Sequence, residues 1–456
     1  MATLIQAEEL AADASPGKWR IVGGYWLASP HRGSAGGAAV AAAATAGVAT
    51  PASSGPRLSS NAPITGSLAA LFVPLVAKDA SGTYCPGTGA PPITVAELEA
   101  AVFEELSPGE VTVGSTYNSC TQGRLRLTQD NSRVVEPVVL PCNGTTRTNA
   151  YWNVSSCPFN HFMAWADEAD RILAQERKIN LAAHPFRVYL TPAGSCDFIG
   201  LAFLGCDFNL GCRAWIGGGA WHEKQAMVHE DSGYYDEYAD DSCAMGYCCD
   251  NRCFNTPHMW QQGWLSAAEY DHSSLGVGQT VTLTMAAQAT PGDSQHRAVR
   301  IVPSWVPAHA NGSAAVDPIF VGYRTGLGVD RELFDSIKNH VLVYTSPVNT
   351  ARDPRYTTLR ASLAANAAWS YPDADLVIRT QALSADEAQI SFCRQAPGRR
   401  ETAASCANRL DYNCDGRVGQ ADPQCLTFLK PLVLTTPRRK VRRPSRSLRR
   451  VAKPGP

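Results

Sequence analysis

Residues 225–264, which read QAMVHEDSGYYDEYADDSCAMGYCCDNRCFNTPHMWQQGW, carry the order of motifs from which the fold of the whole chain is inferred. The run opens on the pair His229-Glu230, crosses an acidic loop with several tyrosines to Met245, and closes on an Asn-x-Pro-His-x-Trp segment. A neutral imidazole is a good zinc ligand, and a glutamate beside it can accept a proton from an attacking water. In isolation such a His-Glu pair is better interpreted as a surface dipeptide, so its chemistry depends on the motifs that flank it.

The same run lacks the histidines that would complete a catalytic zinc site. A catalytic zinc takes three protein ligands and an open position for water, and two histidines four residues apart on a helix supply adjacent ligands. No histidine lies between His229 and His258. On a helix, His222 would lie about 10 Å from His229, too far for both to reach one ion at about 2 Å. The chain as written therefore supplies one of the three expected ligands.

The order of motifs resembles the gametolysin family, the secreted zinc peptidases of volvocine green algae. In that family a His-Glu pair begins an HExxHxxGxxH helix, and an acidic loop, a Ser-x-x-Met-Gly turn, a Cys-Cys pair and an Asn-x-Pro-His-x-Trp segment follow. The resemblance implies that His229 is the first zinc ligand, Glu230 the general base and Met245 the methionine of a Met-turn below the metal. The second and third ligands of the family have no counterpart here.

A second alignment of this run remains open. It makes His229 the third ligand, which puts Gly219 and Ala220 at the first-ligand and base positions and Glu223 at the second-ligand position. Both alignments place His229 at the metal. The first is preferred because Gln-Ala-x-x-His-Glu matches the family's opening.

The resemblance implies an α+β fold, with a metzincin-like catalytic domain that contains the Met-turn, then a β-rich domain and a small Cys-rich segment. Helical periodicity predicts a helix over residues 165–178, and alternation predicts a strand over residues 186–192. Residues 200–206 match the family's edge strand, where such proteases hold an extended substrate by backbone pairing. Residues 322–324 and 328–333 also resemble its C-terminal portion.

Short strand patterns follow Trp264 and are separated by turn-forming residues. They cover residues 280–286, 298–301, 318–321 and 340–345. The predicted organisation is a low-complexity N-terminal region (1–65), a metallopeptidase domain (66–265), a β-rich domain (266–395), a Cys-rich segment (396–426) and a basic disordered tail (427–456). The Ala-, Gly-, Ser- and Pro-rich residues 34–71 are typical of a linker.

The cysteine content predicts an extracellular or cell-wall protein. The chain has 15 cysteines in 456 residues, which favours a disulfide framework and leaves at least one thiol over. Sequons at Asn143, Asn153 and Asn311 fit a secreted glycoprotein. Residues 1–18, in contrast, have neither the basic start nor the apolar core of a signal peptide. The apolar residues 68–76 are too few to span a membrane.

Residues 411–422 have the spacing of a calcium loop. Asp411, Asn413, Asp415 and Asp422 supply side-chain oxygens at positions 1, 3, 5 and 12, and Gly416 is at position 6. Calcium loops need that spacing because alternate side chains converge on one ion while glycine permits the sharp turn. The segment also contains three cysteines in or beside this loop, Cys406, Cys414 and Cys425. A loop that is held by disulfides and binds no ion is therefore the alternative interpretation.

The last basic run, residues 438–453, carries nine lysines or arginines and no acid. The chain has 40 basic and 41 acidic residues, so the remainder is 31 basic against 41 acidic. Such a tail is a solvated segment by default, or binds a polyanion such as an acidic polysaccharide. Nothing predicts a nucleic-acid partner or a membrane span, and the oligomeric state is not predicted.

Two functional hypotheses follow from these patterns. The resemblance implies a zinc endopeptidase that acts on cell-wall or extracellular-matrix glycoproteins. The missing ligands favour either a catalytically inactive matrix or binding protein on the same scaffold, or a gene prediction that has skipped the zinc-binding exon. The residues that follow Glu230 in the transcript decide between them.

Overall fold

The structure is a computed structural model that describes residues 57–59, 65–196, 200–202, 211–217, 240–244, 252–290, 296–308, 314–347, 357–428 and 455. The strands of this part are β1 (Arg57–Ser59), β2 (Gly66–Ser67), β3 (Ala70–Ala77), β4 (Leu125–Arg126), β5 (Arg133–Val134), β6 (Val138–Leu140), β7 (Asn143–Thr145), β8 (Tyr151–Asn153), β9 (Phe186–Leu190), β10 (Gly200–Ala202), β11 (Cys212–Ile216), β12 (Ala267–Tyr270), β13 (Thr280–Ala286), β14 (Ala298–Ile301), β15 (Ile319–Arg324), β16 (His340–Thr345), β17 (Thr358–Leu363), β18 (Ala368–Tyr371), β19 (Leu376–Leu383) and β20 (Glu387–Arg394). The helices are α1 (Val95–Val102), α2 (Val113–Cys120), α3 (Phe159–Arg171), α4 (Thr256–Gln261) and α5 (Ala403–Asn408). This mixed content of several sheets and few helices agrees with an α+β fold.

The first large sheet has the strand order β10-β11-β9-β3-β5, and β6 pairs with β3 beside this path. The pairs β11–β9, β9–β3, β3–β5 and β3–β6 are all parallel. β10 runs antiparallel to β11. Every residue of β3 is buried, as expected for a central strand of a sheet that is covered on both faces. The predicted strand over residues 186–192 is confirmed by β9. Of the predicted edge strand over residues 200–206, residues 200–202 form β10, the last strand of this sheet among those described, and residues 203–206 lie outside the described residues.

Helix α3 covers one face of this sheet. Trp165 is fully buried in a cluster that also contains Phe162, Tyr189 and Trp215. The helix begins at Phe159, six residues before the predicted start, and Ile172–Glu176 continues it as a π-helical turn. The prediction located the amphipathic part correctly but missed the first turns, which begin directly after Pro158.

Charged side chains join α3 to the sheet. Asp170 accepts a hydrogen bond from Arg187 Nη1 at 2.5 Å and another from Arg213 Nη2 at 2.6 Å. The hydroxyl of Tyr189 donates to the other oxygen of Asp170 at 2.6 Å. Burial, followed by the Asp170 charge, raises the pKa of Tyr189 far above its ordinary value, so this tyrosine stays protonated. The network therefore fixes α3 over β9 and β11.

Two further sheets are built from the strands after Trp264, together with β1. One has the order β1-β12-β14-β15-β16-β17 and the other β13-β20-β19-β18. A cluster of buried residues that includes Tyr270, Tyr323 and Phe392 contains side chains from both sheets. The strands predicted at 280–286, 298–301 and 340–345 are confirmed to the residue, and the strand predicted at 318–321 extends from Ile319 to Arg324.

Two structural features extend across boundaries that the sequence predicted, at the end of the linker and at position 265. Neither decides whether the predicted domains are separate units. Residues 57–59 and 65–71 lie in the stretch interpreted as a linker, but β1 pairs with β12 and Leu71 is fully buried in β3, so the linker prediction was too long. The prediction failed here because it relied on the high content of small residues, which does not reveal short strands. One hydrophobic cluster also contains residues from both sides of position 265, such as Trp264 and Phe320.

Disulfides connect the described residues throughout. The pairs are Cys85–Cys142, Cys120–Cys253, Cys157–Cys196, Cys393–Cys414 and Cys406–Cys425. Cys243 keeps a buried thiol, in agreement with the odd cysteine count. No helix within the described ranges is both long and apolar enough to cross a bilayer. The predicted disulfide framework, including the pinned segment 406–425, is confirmed.

Candidate active site

The predicted catalytic residues lie outside the described part of the chain. His229, Glu230 and Met245 fall in residues 218–239 and 245–251, as do His222 and Glu223 of the alternative alignment. Their roles stay predictions. The described residues on either side of them, 211–217, 240–244 and 252–265, show what surrounds the predicted centre.

The Asn-x-Pro-His-x-Trp segment folds as the short helix α4. Asn255 is its N-cap, and its side-chain oxygen accepts a hydrogen bond from the His258 amide at 3.1 Å. Pro257 lies in the first turn, where a missing N–H costs nothing because the amides there have no partner within the helix. The amide group of Asn255 also donates to Asp240 Oδ2 at 2.8 Å. One asparagine therefore starts the helix and ties it to residues 240–244.

The apolar side of α4 packs against the sheet that contains β14 and β15. The ring of Trp260 lies 5.4 Å from that of Phe320, and the Arg300 guanidinium lies 4.7 Å from the Trp260 ring centroid. Gly322 permits the close approach, since a Cβ at that position would lie 2.1 Å from Thr256 Oγ1. The glycine and the helix therefore depend on each other for packing.

A fully buried ion pair holds both flanks of the predicted Met-turn. Arg324 and Asp330, whose side chains are 0 % exposed, pair at 2.7 Å. Arg324 also donates to the carbonyl oxygens of Ser242, at 2.7 Å, and Phe254, at 3.2 Å. Asp330 Oδ1 accepts from the Cys253 amide at 2.8 Å. We call this pair the Arg324–Asp330 clamp, because it joins residues 242 and 253–254 to one point of the β-rich region.

Two further bonds fix the same flanks. The disulfide Cys120–Cys253 attaches the second flank to the end of α2. The hydroxyl oxygens of Ser242 and Tyr344 lie 2.6 Å apart, which attaches the first flank to β16. The segment between them is thus anchored at both ends by covalent and buried polar contacts.

His258 lies against the buried thiol of Cys243, with 3.3 Å between Nδ1 and Sγ. Burial lowers the pKa of His258 from 6.5 to about 4, although the Asp240 charge opposes the shift. The imidazole is therefore neutral near pH 7. The contact resembles a thiol–imidazole pair, but its enclosed position between α4 and residues 240–244 is typical of a structural role.

Acidification is expected to destabilise the protein through His258. Between pH 6.5 and about 4 the unfolded chain takes up a proton that the folded chain excludes, so the free energy of unfolding falls as the pH falls. His258→Gln should flatten this dependence, measured by urea unfolding across that window. The matched control His272→Gln changes an exposed histidine and should leave the profile as it is. An unchanged profile for His258→Gln would contradict this assignment.

β10 is the last strand of its sheet among the described strands. Gly200, Leu201 and Ala202 pair with Ile216, Trp215 and Ala214, and none of the three is buried. An exposed strand edge presents unpaired N–H and C=O groups to which an extended peptide can add. Its partner strand β11 is followed along the chain by residues 218–239, which include the predicted centre and lie outside the described residues.

The described residues do not fit a catalytic zinc. Among the described residues, one group of three His, Cys, Asp or Glu side chains has its ligand atoms within 4.8 Å of one another: Glu401, Cys406 and Cys425. Cys406 and Cys425 form a disulfide, so this group offers a single carboxylate. Outside the described residues, the predicted site has His229 as one zinc ligand where three imidazoles are required.

Sequence reasoning missed the Arg324–Asp330 clamp and the Cys243–His258 contact. A signal for the clamp existed, because residues 322–324 and 328–333 resemble the family's C-terminal portion. The pattern did not show that these residues contact positions 242 and 253, about 80 residues earlier. The calcium-loop residues Asp411, Asn413, Asp415 and Asp422 are all described and lie in one loop that is pinned by two disulfides.

Comparison with known proteins adds one positive result. The family model for gametolysin peptidase M11 matches residues 81–365, which is more than half of the 456 residues. The match includes α3, strands β9 and β11 of the first large sheet, α4 and the Arg324–Asp330 clamp, whereas β3 lies before it. No curated protein matches the chain.

Proposed function

Because this chain belongs to the gametolysin peptidase M11 family, we propose that its gene encodes a zinc endopeptidase that acts on cell-wall or extracellular-matrix glycoproteins. The family match supports a metallopeptidase of the gametolysin type and hence a protein substrate. The observation that carries the proposal is this match together with the anchored residues 240–244 and 252–264. The zinc, the substrate class and the extracellular location are parts of the proposal.

Three features support the endopeptidase scaffold. The flanks of the predicted Met-turn are held by the Arg324–Asp330 clamp and by the Cys120–Cys253 disulfide. β10 offers a strand edge for an extended peptide. The disulfides fit an oxidising compartment, and Asn143 of the first sequon is exposed for glycosylation. In the complete enzyme, Glu230 would accept the proton of the attacking water.

The second candidate function is a catalytically inactive matrix or binding protein. The observation that favours it is the donor set of this exact chain, which has one of the three histidines that the zinc site needs. The two functions differ in one feature, the residues after Glu230. Sequencing a cDNA across codons 225–240 tests them directly. About a dozen further residues with two histidines would support the enzyme. A transcript that reads as given would support the inactive protein.

The chain as written is expected to bind zinc weakly and to lack peptidase activity. One histidine with nearby carboxylates does not form a tetrahedral site of nitrogen ligands. Zinc content after dialysis, measured by metal analysis, should be far below one ion per chain, and gelatin or casein should remain intact. A stoichiometric zinc content together with chelator-sensitive cleavage would refute this prediction. A His229→Ala variant is the matched control for zinc bound elsewhere.

A further inference from the structure

The loop between α5 and the end of the described chain is built around Asp411. This side chain is 2 % exposed, and its two oxygens accept hydrogen bonds from the amides of Asp415, at 3.1 Å, and Gly416, at 2.8 Å. Gly416 has a φ of +89°, which glycine adopts without strain. The chain therefore wraps around a buried carboxylate at the first position of the loop.

The last position of the loop carries a buried oxygen that has no partner. Asp422 is 0 % exposed. Its Oδ1 accepts a hydrogen bond from the Gln424 amide at 2.6 Å, whereas its Oδ2 has no hydrogen-bond partner. A buried carboxylate oxygen without a partner is costly, and a bound cation removes that cost. This oxygen, more than the spacing of the loop, indicates a ligand.

A buried acid adds negative charge beside the loop, while Arg379 donates a hydrogen bond to the Cys414 carbonyl at 2.6 Å. Glu401 is buried beside the loop and accepts a hydrogen bond from the Asn413 amide at 3.0 Å. In the described part of the chain, no salt bridge involves any of the four acids at this loop, which are Glu401, Asp411, Asp415 and Asp422. A cation at the loop would pair with these carboxylates.

We propose that residues 411–422 bind one calcium ion, with side-chain oxygens of Asp411, Asn413, Asp415 and Asp422 as ligands. The backbone carbonyl of Arg417, at the seventh position, and water would complete the coordination shell. All donors are hard oxygens, and a loop of this size suits the larger and more flexible shell of calcium better than the strict octahedron of magnesium. This site is separate from the zinc centre of the proposed function.

The ion has a mechanical consequence for the Cys-rich segment. The ligand atoms of Asp411, Asp415 and Asp422 do not all lie within 4.8 Å of one another in this structure, so calcium would draw these side chains together. The loop is attached to β20 by Cys393–Cys414, and the Asp411 amide donates to the Gly278 carbonyl at 2.8 Å. Calcium would therefore stabilise the contact between the segment and the sheet that contains β13 and β20.

Calorimetric titration of calcium into the full, oxidised chain tests the proposal without reference to peptidase activity. We expect one saturable ion per chain, with a dissociation constant of about 10⁻⁴–10⁻³ M, the range of extracellular modules. Asp415→Asn changes an exposed residue and should fold normally, yet it should weaken binding at least about tenfold because the site loses a charged ligand. Asp422→Asn should do the same. Calcium should raise the melting temperature of the parent chain more than that of either variant.

The exposed Asp386→Asn is the matched control, and it should bind calcium as the parent chain does. Two results would overturn the proposal. One is the absence of saturable binding at millimolar calcium, which would leave a loop that is held by its disulfides alone. The other is binding of equal affinity in the parent, Asp415→Asn and Asp422→Asn chains, which would place the ion elsewhere.

Discussion

Insertion of the family's missing helix residues after Glu230 is expected to produce a chelator-sensitive peptidase, and Glu230→Gln in that restored chain is expected to abolish it. The amide of glutamine has the size of the carboxylate but cannot take the proton of the attacking water. Loss of a general base typically costs about 10²–10⁴-fold in rate. The measurement is cleavage of casein, or of an extracted matrix glycoprotein, at equal zinc content.

Two further variants of the restored chain separate the alternatives. His229→Ala should lose metal as well as activity, whereas Glu230→Gln should retain metal. Glu223→Gln should remain active, because the preferred alignment gives Glu223 no role. A fully active Glu230→Gln together with an inactive Glu223→Gln would reject this alignment and favour the register in which His229 is the third ligand.

Removal of one partner of the Arg324–Asp330 clamp is expected to have the largest effect on stability. In Arg324→Met the Asp330 carboxylate stays at 0 % exposure without its cation, and the carbonyls of Ser242 and Phe254 lose their donor. Breaking a buried pair in this way costs about 3–5 kcal/mol in the free energy of unfolding. Denaturant unfolding of the oxidised chain measures it.

The adjacent pair Arg331–Glu332 provides the matched control. These side chains are 47 % and 40 % exposed and 4.0 Å apart. Arg331→Met should therefore change the stability by no more than about 1 kcal/mol. A similar loss in both variants would mean that the clamp contributes no more than a surface pair.

Strands whose ends are marked by nearby turn-forming residues could be predicted from the sequence. β13, β14 and β16 were predicted to the residue, because short apolar patterns there end at glycine, proline, asparagine or aspartate. The family motif predicted the edge strand at residues 200–202. Its Asn-x-Pro-His-x-Trp part became interpretable only in the structure, where Asn255 caps α4 and Trp260 packs on Phe320.

Elements that depend on contacts between residues far apart in the sequence could not be predicted from local patterns. β1 has three residues, and it forms a strand because residues 267–269 pair with it across more than 200 positions. The start of α3 depends on burial of Phe162 against Trp215, and the clamp depends on carbonyls of another segment. The roles of His229, Glu230 and Met245 still rest on the resemblance and on chemistry.

The hydrophobic cluster that contains Phe72, Tyr117 and Trp264 also contains Phe320 and Tyr344, on the other side of position 265. Neither side can therefore be inherited without the other, since a recombination event that separated them would leave half of one core facing water. A lineage can replace the loops above this core, and even lose catalytic residues there, while the remainder still passes on as one heritable block. The family match, residues 81–365, includes residues from both sides of position 265.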